Sequence, residues 1–452
     1  MMKITVKSKN KTEIINADSF DNLLSALRFY GYSIDASCDG SGNCGKCKVI
    51  ANSKTVLSCK TKPQDNMIVE LIDNNGFSLF FNENPTGCAE ALIDIGTTTV
   101  CISLIQNGKT VASCIEKNRQ QSFGSDIMSR INHGEGTDLA LMNKAIISQI
   151  NSMIKKAKMP IEKIIICGNT AMLHIFLNEP CKTMGFFPYT PKFLSEKFFE
   201  SATQLGLDFD TPLYILPCIS AFCGADILSG ISSVYDDKSN VKLLMDFGTN
   251  CEIALIENDK ISVTSTASGP AFEGGKISCG MPATDGAISH FKLIDNVPHI
   301  ETVGNKSPVG ICGSGLIDII AELFRNNIIT PDGYLEKPYR IFGNICITNE
   351  DVKEFLLAKS AVQTALEIMT ENIKIDKAFL GGSFGSAVNI SNAKFLKIIP
   401  DCETVSIGNS AIKGMVHGNK DLWKNISENA KNIEISTHKN FEKFFINNLR
   451  FN

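Results

Sequence analysis

The chain has 452 residues, with 44 Lys and Arg against 48 Asp and Glu and a formal net charge of −4, so it lacks the basic character of a general nucleic-acid binder. No apolar run is long enough to predict a membrane span, and the first residues lack the apolar core of a signal peptide, so we expect a soluble, cytoplasmic protein. Sixteen cysteines in a chain of this size without an export signal favour reduced thiols or metal ligands over disulfides.

The first 75 residues predict a small α+β domain. Alternating side chains on either side of a polar turn indicate a hairpin within the first 15 residues. Leu23, Leu24 and Leu27 lie on one face of an expected helix, which Asp18 or Ser19 would cap. Further strands are expected over residues 48–51, 56–58 and 67–72, followed by a partly docked linker over residues 76–90.

Four cysteines with a distinctive spacing lie in this domain. Cys38, Cys44, Cys47 and Cys59 form the pattern C-x5-C-x2-C-x11-C, and the loop that carries the first three is rich in glycine. An iron–sulfur cluster needs converging thiolates, and glycines let backbone amides approach its sulfurs. A structural zinc site also uses C-x2-C, and unligated thiols are the third alternative. Because zinc motifs usually pair two such hairpins, the single loop favours a cluster.

This domain resembles the plant-type [2Fe–2S] ferredoxins, which have a β-grasp fold. The resemblance implies a [2Fe–2S] cluster held by Cys38, Cys44, Cys47 and Cys59. The spacing departs from that family by one extra residue in the first gap and by a short last gap, which is closer to that of succinate-dehydrogenase-type iron–sulfur subunits. The departure affects the expected path of the chain to Cys59 and leaves the expected ligands unchanged.

From residue 91 the chain alternates between buried strands and amphipathic helices, which predicts α/β layers. The strand and turn over residues 91–99 recur over residues 243–250. The recurrence is consistent with a duplicated α/β domain, with subdomains at residues 91–240 and 241–452. Helices are expected over residues 139–158, 315–327 and 352–373.

Two of the turns have the composition of phosphate-binding loops. Residues 94–99 read D-I-G-T-T-T and residues 246–250 read D-F-G-T-N, each after a buried strand. Such a turn aims backbone N–H groups and hydroxyls at an anion, and its aspartate can hold hydrated Mg²⁺ or orient a water. Either loop alone is also compatible with an ordinary strand turn. Two loops in equivalent positions favour a cleft that holds phosphates from both sides.

A third glycine turn follows a later strand at Gly381, Gly382 and Ser383. Its glycines would let a flat adenine ring lie against the backbone, although a crowded helix–strand contact would use the same residues. The lysine of a P-loop is missing, so a Walker A site is excluded.

In this order the three turns resemble the ASKHA superfamily of actin-like, sugar-kinase and heat-shock ATPases. The resemblance implies a bilobal α/β ATPase fold that binds ATP and Mg²⁺, with Asp94 and Asp246 as candidate catalytic acids. Asp226, which closely follows a glycine in an apolar context, is a third candidate. The expected nucleotide-binding residues are Gly96, Thr97 and Thr98 in the phosphate-1 motif, Gly248, Thr249 and Asn250 in the phosphate-2 motif, and Gly381, Gly382 and Ser383 in the adenosine motif.

Four more segments narrow the resemblance. They read G-N-T-A-M-L-H at 168–174, S-G-P-A-F-E-G at 268–274, C-G-S-G-L at 312–316 and I-G-N-S-A at 407–411. Together with a ferredoxin domain ahead of an ASKHA ATPase, they are similar to the reductive activators of corrinoid proteins, and they add Gly313 and Ser314 to the expected nucleotide-binding residues. Longer members of that family carry a further linker and a middle domain, for which residues 72–91 leave room only for a short tether.

This resemblance implies ATP-dependent reduction. One electron from a low-potential donor would pass through the [2Fe–2S] cluster to Co(II) of a corrinoid protein or a corrinoid methyltransferase component, giving Co(I) for methyl transfer, with ATP binding or hydrolysis as the driving force. The resemblance also implies a homodimer. The alternatives are an ASKHA small-molecule kinase with a fused redox module, and a non-catalytic electron-transfer or nucleotide-sensing module.

Several other residues have two interpretations. Asp126 and Asp226 each closely follow a glycine in an apolar context, and they either face the cleft, where they would serve Mg²⁺ or water, or cap a helix. His174 lies in an apolar helical stretch that favours a buried core histidine. The 12 cysteines outside the cluster motif, among them Cys101, Cys167 and Cys251 on expected strands, are interpreted as small buried hydrophobes.

Overall fold

The computed structural model describes residues 2–8, 11–18, 20–30, 32, 34, 47–71, 80–81, 87–258, 260–371 and 373–451. These residues fall into two compact units. The first unit contains residues 1–166, 171–193 and 198–215, and the second contains residues 167–170, 194–197 and 216–452.

The first unit opens with a five-stranded sheet and one helix. The sheet has the strand order β2-β1-β5-β3-β4, in which β1 is antiparallel to β2 and parallel to β5. Alternation along β1 buries Ile4 and Val6, which pack with Leu23 and Leu27 of the helix, so the expected hairpin and helix are confirmed. The elements are β1 (Lys3–Ser8), β2 (Lys11–Asn16), α1 (Leu23–Phe29), β3 (Lys48–Ala51), β4 (Lys54–Leu57) and β5 (Met67–Leu71).

The cap expected for α1 is wrong. The Asn22 side chain accepts a hydrogen bond from the Ser25 backbone N–H at 2.9 Å, which is the contact of an N-cap with the third helical residue. Asp18 instead accepts a hydrogen bond from the Met2 backbone N–H at 2.6 Å, and Ser19 lies outside the described residues. The helix begins later than expected because a nearer amide side chain caps it.

The first unit continues with a seven-stranded sheet of order β11-β12-β10-β7-β8-β9-β6. Its middle is an antiparallel meander of β7, β8 and β9, and β10 runs parallel to β12. Part of the segment expected to be a docked linker, β6, pairs with β9. The elements are β6 (Phe80–Phe81), β7 (Ala89–Ile95), β8 (Thr99–Gln106), β9 (Lys109–Lys117), α2 (Ile127–Asn132), α3 (Gly136–Lys156), β10 (Ile161–Gly168), α4 (Thr170–Phe176), β11 (Lys197–Phe199) and β12 (Leu213–Ile215).

The second unit is built on a six-stranded sheet of order β22-β21-β13-β14-β15-β23. The elements are α5 (Ala225–Val234), β13 (Val241–Phe247), β14 (Cys251–Glu257), β15 (Lys260–Thr266), β16 (Ala287–Ile294), β17 (Val297–Thr302), β18 (Gly310–Ile311), α6 (Gly313–Arg325), β19 (Tyr339–Phe342), β20 (Ile345–Ile347), α7 (Asn349–Thr370), β21 (Lys377–Gly381), α8 (Gly382–Ala387), α9 (Ile390–Phe395), β22 (Glu403–Gly408), α10 (Ser410–His417), α11 (Lys420–Asn429), β23 (Ala430–Asn432) and α12 (Phe441–Asn447).

The long helices lie where the apolar periodicity predicts them, as α3, α6 and α7. The last of these begins at Asn349, three residues before the expected start, because Thr348 and Asp351 form a capping box upstream of the apolar pattern. Its buried face packs on the large core of the second unit, which includes the interior residues Leu243 and Met245 of β13.

The two large sheets share one strand order. In the first unit β7, β8 and β9 form the meander, and β10 and β12 extend the sheet beyond β7. In the second unit β13, β14 and β15 form the meander, and β21 and β22 extend the sheet beyond β13. The repeated strand and turn in the sequence therefore has a structural counterpart, and the turns after β7 and β13 occupy equivalent places in their own units.

Candidate functional site

Two of the four expected cluster ligands meet in the first unit. The Sγ atoms of Cys47 and Cys59 lie 3.1 Å apart, and both side chains are buried against Leu24 of α1. The residue before Cys59 holds this arrangement, because Ser58 donates to the Cys47 carbonyl from its backbone N–H and from its hydroxyl, at 2.8 and 2.9 Å. Thiolates are the ligands that iron–sulfur clusters use, so this pair fits two positions of the expected cluster. The other two expected ligands, Cys38 and Cys44, lie outside the described residues.

The turn after β7 is held from one side through its carbonyl oxygens. The Asn118 side-chain amide donates to Gly96 O at 2.8 Å, the Arg130 guanidinium to Thr97 O at 2.6 Å, and the Gln121 amide to Thr98 O at 3.0 Å. The Asn118 backbone N–H adds a second bond to Thr98 O at 2.9 Å. Three consecutive carbonyls are thus oriented toward the segment that follows β9.

Glycine is required in this turn for a steric reason. A Cβ atom at Gly96 would lie 2.8 Å from the backbone oxygen of Thr99, closer than real contacts allow. The turn can therefore form its tight bend only without a side chain at this position. The Asp94 side chain precedes the bend, at the end of a strand whose other residues are mostly buried.

The turn after β13 lies in a different setting, next to an acidic group. Asp246 pairs with Glu252 across the antiparallel strands β13 and β14, which places the two side chains on the same face of the sheet. Asp226, in the first turn of α5, is close enough for the charge of Asp246 to act on it and for its own charge to act on Glu252. The side chains of Ser410 and Ser265 donate hydrogen bonds to Asp246 and Glu252, respectively.

Burial governs the protonation of these three carboxyl groups. Burial and then the charge of Asp246 raise the pKa of Asp226 to about 6, while a hydrogen bond from the Ile227 backbone N–H opposes the shift. Burial also raises the pKa of Asp246, against the hydrogen bond from Ser410, and it raises the pKa of Glu252 well above its ordinary value. The group therefore resists carrying three negative charges and would gain from a nearby cation.

The described residues do not form a ready-made metal cage. Among them, no group of three or more His, Cys, Asp or Glu side chains is placed to ligate an ion directly. Mg²⁺ commonly keeps several waters and binds through one or two carboxylates and the phosphates of its substrate. The acidic group fits Mg²⁺ in that form and not as a site built from protein ligands alone.

The glycine turn after β21 packs directly on Asp246. The strands β13 and β21 are parallel neighbours, with Asp246 opposite Gly381. A Cβ at Gly381 would lie 2.8 Å from an Asp246 carboxylate oxygen, and a Cβ at Gly382, whose φ is +81°, would lie 2.4 Å from Phe247 O. The expected phosphate-2 and adenosine residues are therefore adjacent in the second unit. The side chain of Ser383 is not described.

The other expected nucleotide residues in this unit lie close to the same strands. The Thr249 hydroxyl donates to Glu273 at 3.3 Å, and Gly248 is exposed, with its N–H bonded to Asn250 O at 2.9 Å. Gly313 and Ser314 are buried at the start of α6, where Ser314 donates to Ser289 O at 3.0 Å. A Cβ at Gly313 would collide with Phe272 O at 1.7 Å, so this glycine has a packing role of its own.

The structure distinguishes between the two interpretations of Asp126, Asp226 and His174. Asp126 is the N-cap of α2, with its carboxylate accepting from the Ser129 N–H at 2.8 Å, so the helix-cap interpretation holds. Asp226 lies inside α5, after the N-cap Gly224, so the helix-cap interpretation is wrong for it. His174 is fully buried and stacked on Phe193, as expected of a core histidine.

Most described cysteines outside the motif are buried, as expected. Burial raises the pKa of the Cys101 thiol to about 12, and Cys167 and Cys251 are fully enclosed. The exceptions are Cys88, which is exposed, and Cys279, Cys346 and Cys402, which are partly exposed.

Several residues of these sites carry no local sequence signal. Asn118, Gln121 and Arg130 reach the first turn from more than 20 positions away, and Ser410 reaches Asp246 from 164 positions away. Glu252 was missed although a signal existed, because a hairpin register around residues 248–250 places it opposite Asp246.

Three family models match the chain. They are the 2Fe-2S iron-sulfur cluster binding domain over residues 6–72, the RACo middle region over residues 89–237, and the C-terminal domain of RACo, the ASKHA domain, over residues 240–452. The corrinoid activation enzyme RamQ of Eubacterium limosum is 31% identical over 419 residues, which cover 79% of this chain and 69% of that protein. The chain belongs to the RACo family.

A second relative and a solved structure agree with this membership. The [Co(II) methylated amine-specific corrinoid protein] reductase of Methanosarcina barkeri is 25% identical over 414 residues, covering 79% of this chain and 76% of that protein. A solved reductive activator for corrinoid, iron–sulfur protein matches 100% of this chain and 98% of its own, with a TM-score of 0.72 at 24% identity. The expected fold, a ferredoxin domain followed by an ASKHA domain, is confirmed.

One expectation about this RACo-family chain is wrong. The sequence predicts only a short tether over residues 72–91 and no room for a middle domain, yet the RACo middle region matches residues 89–237, where the first ATPase subdomain is expected. The seven-stranded sheet of the first unit lies largely in this region, and it shares its strand order with the sheet of the second unit, so the sequence pattern does not distinguish a middle region from a first ATPase subdomain. Within the described residues, no helix is both long and apolar enough to cross a membrane.

Proposed function

We propose that the chain is an ATP-dependent reductive activator, which transfers one electron to Co(II) of a corrinoid protein and so returns the cobalt to Co(I) for methyl transfer. The observation that carries this proposal is the meeting of Cys47 and Cys59 at 3.1 Å in a chain that also has an ASKHA domain. The names of two relatives, a corrinoid activation enzyme and a Co(II) corrinoid protein reductase, support the choice of acceptor.

The thiolates of Cys47 and Cys59, together with Cys38 and Cys44, would hold the cluster. A bound [2Fe–2S] cluster would supply a one-electron carrier, which in plant-type ferredoxins has a reduction potential of about −400 mV. Burial of Cys47 and Cys59 beside Leu24 excludes water from their side of the site. Ser58 fixes the backbone between them through its two bonds to the Cys47 carbonyl.

The energetic difficulty of the reaction explains why a nucleotide is needed. An acceptor ~150 mV below the carrier would make the transfer uphill by about 3.5 kcal/mol, since 59 mV corresponds to about 1.4 kcal/mol for one electron. A nucleotide can offset this energetic cost only if the nucleotide-bound activator has a higher affinity for the partner in a form that is easier to reduce. The ATPase is therefore a conformational driver and requires no phosphoryl acceptor.

The residues of each unit would contribute separately to nucleotide binding. In the first unit, the carbonyls of Gly96, Thr97 and Thr98 are engaged from one side, so the N–H groups and hydroxyls of this turn would serve the phosphates. In the second unit, Asp246 would hold hydrated Mg²⁺ or orient a water. Gly381 and Gly382, which adjoin Asp246, would lie along the nucleoside.

Asp226 would act as a proton reservoir beside Asp246. With a pKa near 6, it exchanges a proton close to neutral pH, and its state depends on the charge of Asp246. A cation bound at Asp246 would favour ionisation of Asp226, because it would reduce the repulsion between the two carboxylates.

The proposal also includes a low-potential electron donor, a cytoplasmic location and a homodimer, which the resemblance implies.

The test is anaerobic reduction of a purified methyltransferase corrinoid protein poised as Co(II), followed by its visible absorbance. With a reduced low-potential donor and Mg²⁺·ATP, we expect the Co(II) band to give way to that of Co(I). Omission of ATP should abolish the change. Formation of Co(I) at the same rate without ATP would contradict the proposal.

Two variants and a matched control assign the effect to the two sites. Cys59→Ser should remove reduction while ATP binding persists, and Asp246→Ala should remove ATP-dependent reduction while the [2Fe–2S] absorbance persists. Cys88→Ser changes an exposed cysteine outside the motif and should behave as the wild type. Full reduction by both site variants would show that neither site takes part.

A further inference from the structure

The first unit contains a fully buried arginine next to the turn that follows β7. Arg130, on α2, has no exposed surface. Its Nη2 donates to Thr97 O at 2.6 Å, its Nε to Gly124 O at 3.0 Å, and its Nη1 contacts the Met172 sulfur at 3.1 Å. These bonds go to two carbonyls and a thioether, so within the described residues no carboxylate pairs with this guanidinium.

A buried charge of this kind opposes folding. Removing a guanidinium from water without an anionic partner costs free energy, and buried arginines are usually paired. Burial lowers the pKa of Arg130 to about 9, with the charge of Asp126 opposing the shift, so the side chain still carries its charge at neutral pH. A neutral amide is enough to hold a carbonyl of this turn, as the Asn118 side chain does at Gly96 O and the Gln121 side chain at Thr98 O.

The position of the charge suggests what it serves. The turn over residues 94–99 contains no Lys or Arg, although the phosphates of ATP carry several negative charges. The guanidinium lies against this turn, in contact with the central carbonyl of the three that are held there. A fixed positive charge in a site shielded from water acts on an anion more strongly than a solvated one.

We propose that Arg130 is a positioning residue for the triphosphate, which fixes the turn through Thr97 and supplies, from beside the backbone, the positive charge that the turn lacks. The inference rests on the proposed function, because it assumes that this turn binds nucleotide phosphates. It predicts that removal of the charge weakens binding in proportion to the negative charge of the ligand. An arginine needed only for the folding of the unit would affect ATP and adenosine equally.

The experiment compares dissociation constants for Mg²⁺·ATP and adenosine, measured by calorimetry on the full chain without a corrinoid protein. Arg130→Met should weaken ATP binding about ten- to one hundredfold, equivalent to about 1.4 to 2.7 kcal/mol, and adenosine binding less than about twofold. The matched control is Arg119→Met, which removes an arginine that is already paired with Glu116, and it should change neither constant. Equal losses for ATP and adenosine, or no loss for ATP, would overturn the inference.

A second variant decides the question if Arg130→Met does not fold. Arg130→Lys keeps the positive charge and loses the planar guanidinium that donates to both Thr97 O and Gly124 O. Its ratio of ATP to adenosine affinity should stay within about threefold of the wild type, and a tenfold fall in that ratio would show that charge is not what Arg130 provides. A wild-type chain that binds ATP but reduces no cobalt would contradict the proposed function alone and leave this inference standing.

Discussion

The turns that follow β7 and β13 share their place in the strand order and differ in the charge around them. Amide and guanidinium groups from Asn118, Gln121 and Arg130 surround the first turn and hold its carbonyls. The second turn lies beside a group of carboxylates, in which Glu252 and Asp226 adjoin Asp246. The same backbone therefore carries a cationic setting in one unit and an acidic setting in the other.

The difference suggests a division of work between two similar sheets. A turn backed by a positive charge suits the binding of anions, whereas a turn beside carboxyl groups of raised pKa suits a cation and proton exchange. A duplicated architecture supplies two equivalent backbones, and long-range contacts then determine what each of them does. The variants below test whether the two turns differ in this way.

The largest effect is expected at the acidic turn. Asp246→Asn should lower the rate of ATP hydrolysis about 10²- to 10³-fold, because it removes the carboxylate that would orient water or Mg²⁺. Phosphate release measures the rate. Asp237→Asn, which changes a carboxylate in the same unit that pairs with Lys377, should keep the rate. Equal rates for Asp246→Asn and wild type would remove the catalytic half of the comparison.

The next effect concerns the glycine that packs on the same turn. Gly382→Ala should lower the free energy of unfolding by about 3 kcal/mol, since its φ of +81° and a contact of 2.4 Å with Phe247 O both oppose a Cβ. Urea unfolding measures the change. Gly269→Ala, with a φ of +70° and no atom within 4 Å of the added Cβ, should cost only the backbone strain. The account fails here if the two variants are equally stable.

The acidic group predicts a stability change that depends on pH. The pKa of Asp226 is raised to about 6 in the folded chain, from an ordinary value of 3.8, so the folded state holds this proton more tightly than the unfolded state does. Stability therefore falls as the pH rises from about 4 through 6. Asp226→Asn removes that loss and should stabilise the chain by about 1 to 3 kcal/mol at pH 7.5 and hardly at pH 4.

Urea midpoints at the two pH values, with EDTA present, measure this difference. The control is Asp126→Asn, a helix cap in the other unit, because an asparagine caps a helix as well as an aspartate does. If Asp226→Asn gave the same change in stability at both pH values, the pKa of Asp226 would not be raised in the folded chain as described.

The smallest effect is expected at the first turn. Asn118→Ala removes the hydrogen bond to Gly96 O and should raise the KM for ATP about three- to tenfold, with kcat nearly unchanged. Steady-state hydrolysis measures both constants. Asn143→Ala removes a similar amide bond, to Phe176 O at 2.7 Å elsewhere in the same unit, and should leave KM unchanged. A loss in kcat alone for Asn118→Ala would mean that the two turns do not divide the work.

The features of this architecture that depend on short stretches of chain could be predicted from the sequence. The spacing of Cys47 and Cys59 and the apolar runs of β7 and β13 each depend on short stretches of chain. The cap of α1 failed for a local reason, since Asn22 lies nearer to the helix than Asp18 does. The partners of the two turns could not be predicted, because they depend on strand register and on contacts between residues far apart in sequence.

The most direct test of the central claim is the product and rate of ATP turnover by the anaerobic chain, followed by phosphorus NMR with and without a Co(II) corrinoid protein. We predict inorganic phosphate as the product and a rate that rises when the Co(II) protein is added. A phosphorylated small molecule as the product, or a rate that ignores the corrinoid protein, would contradict the claim that nucleotide turnover drives reduction of cobalt.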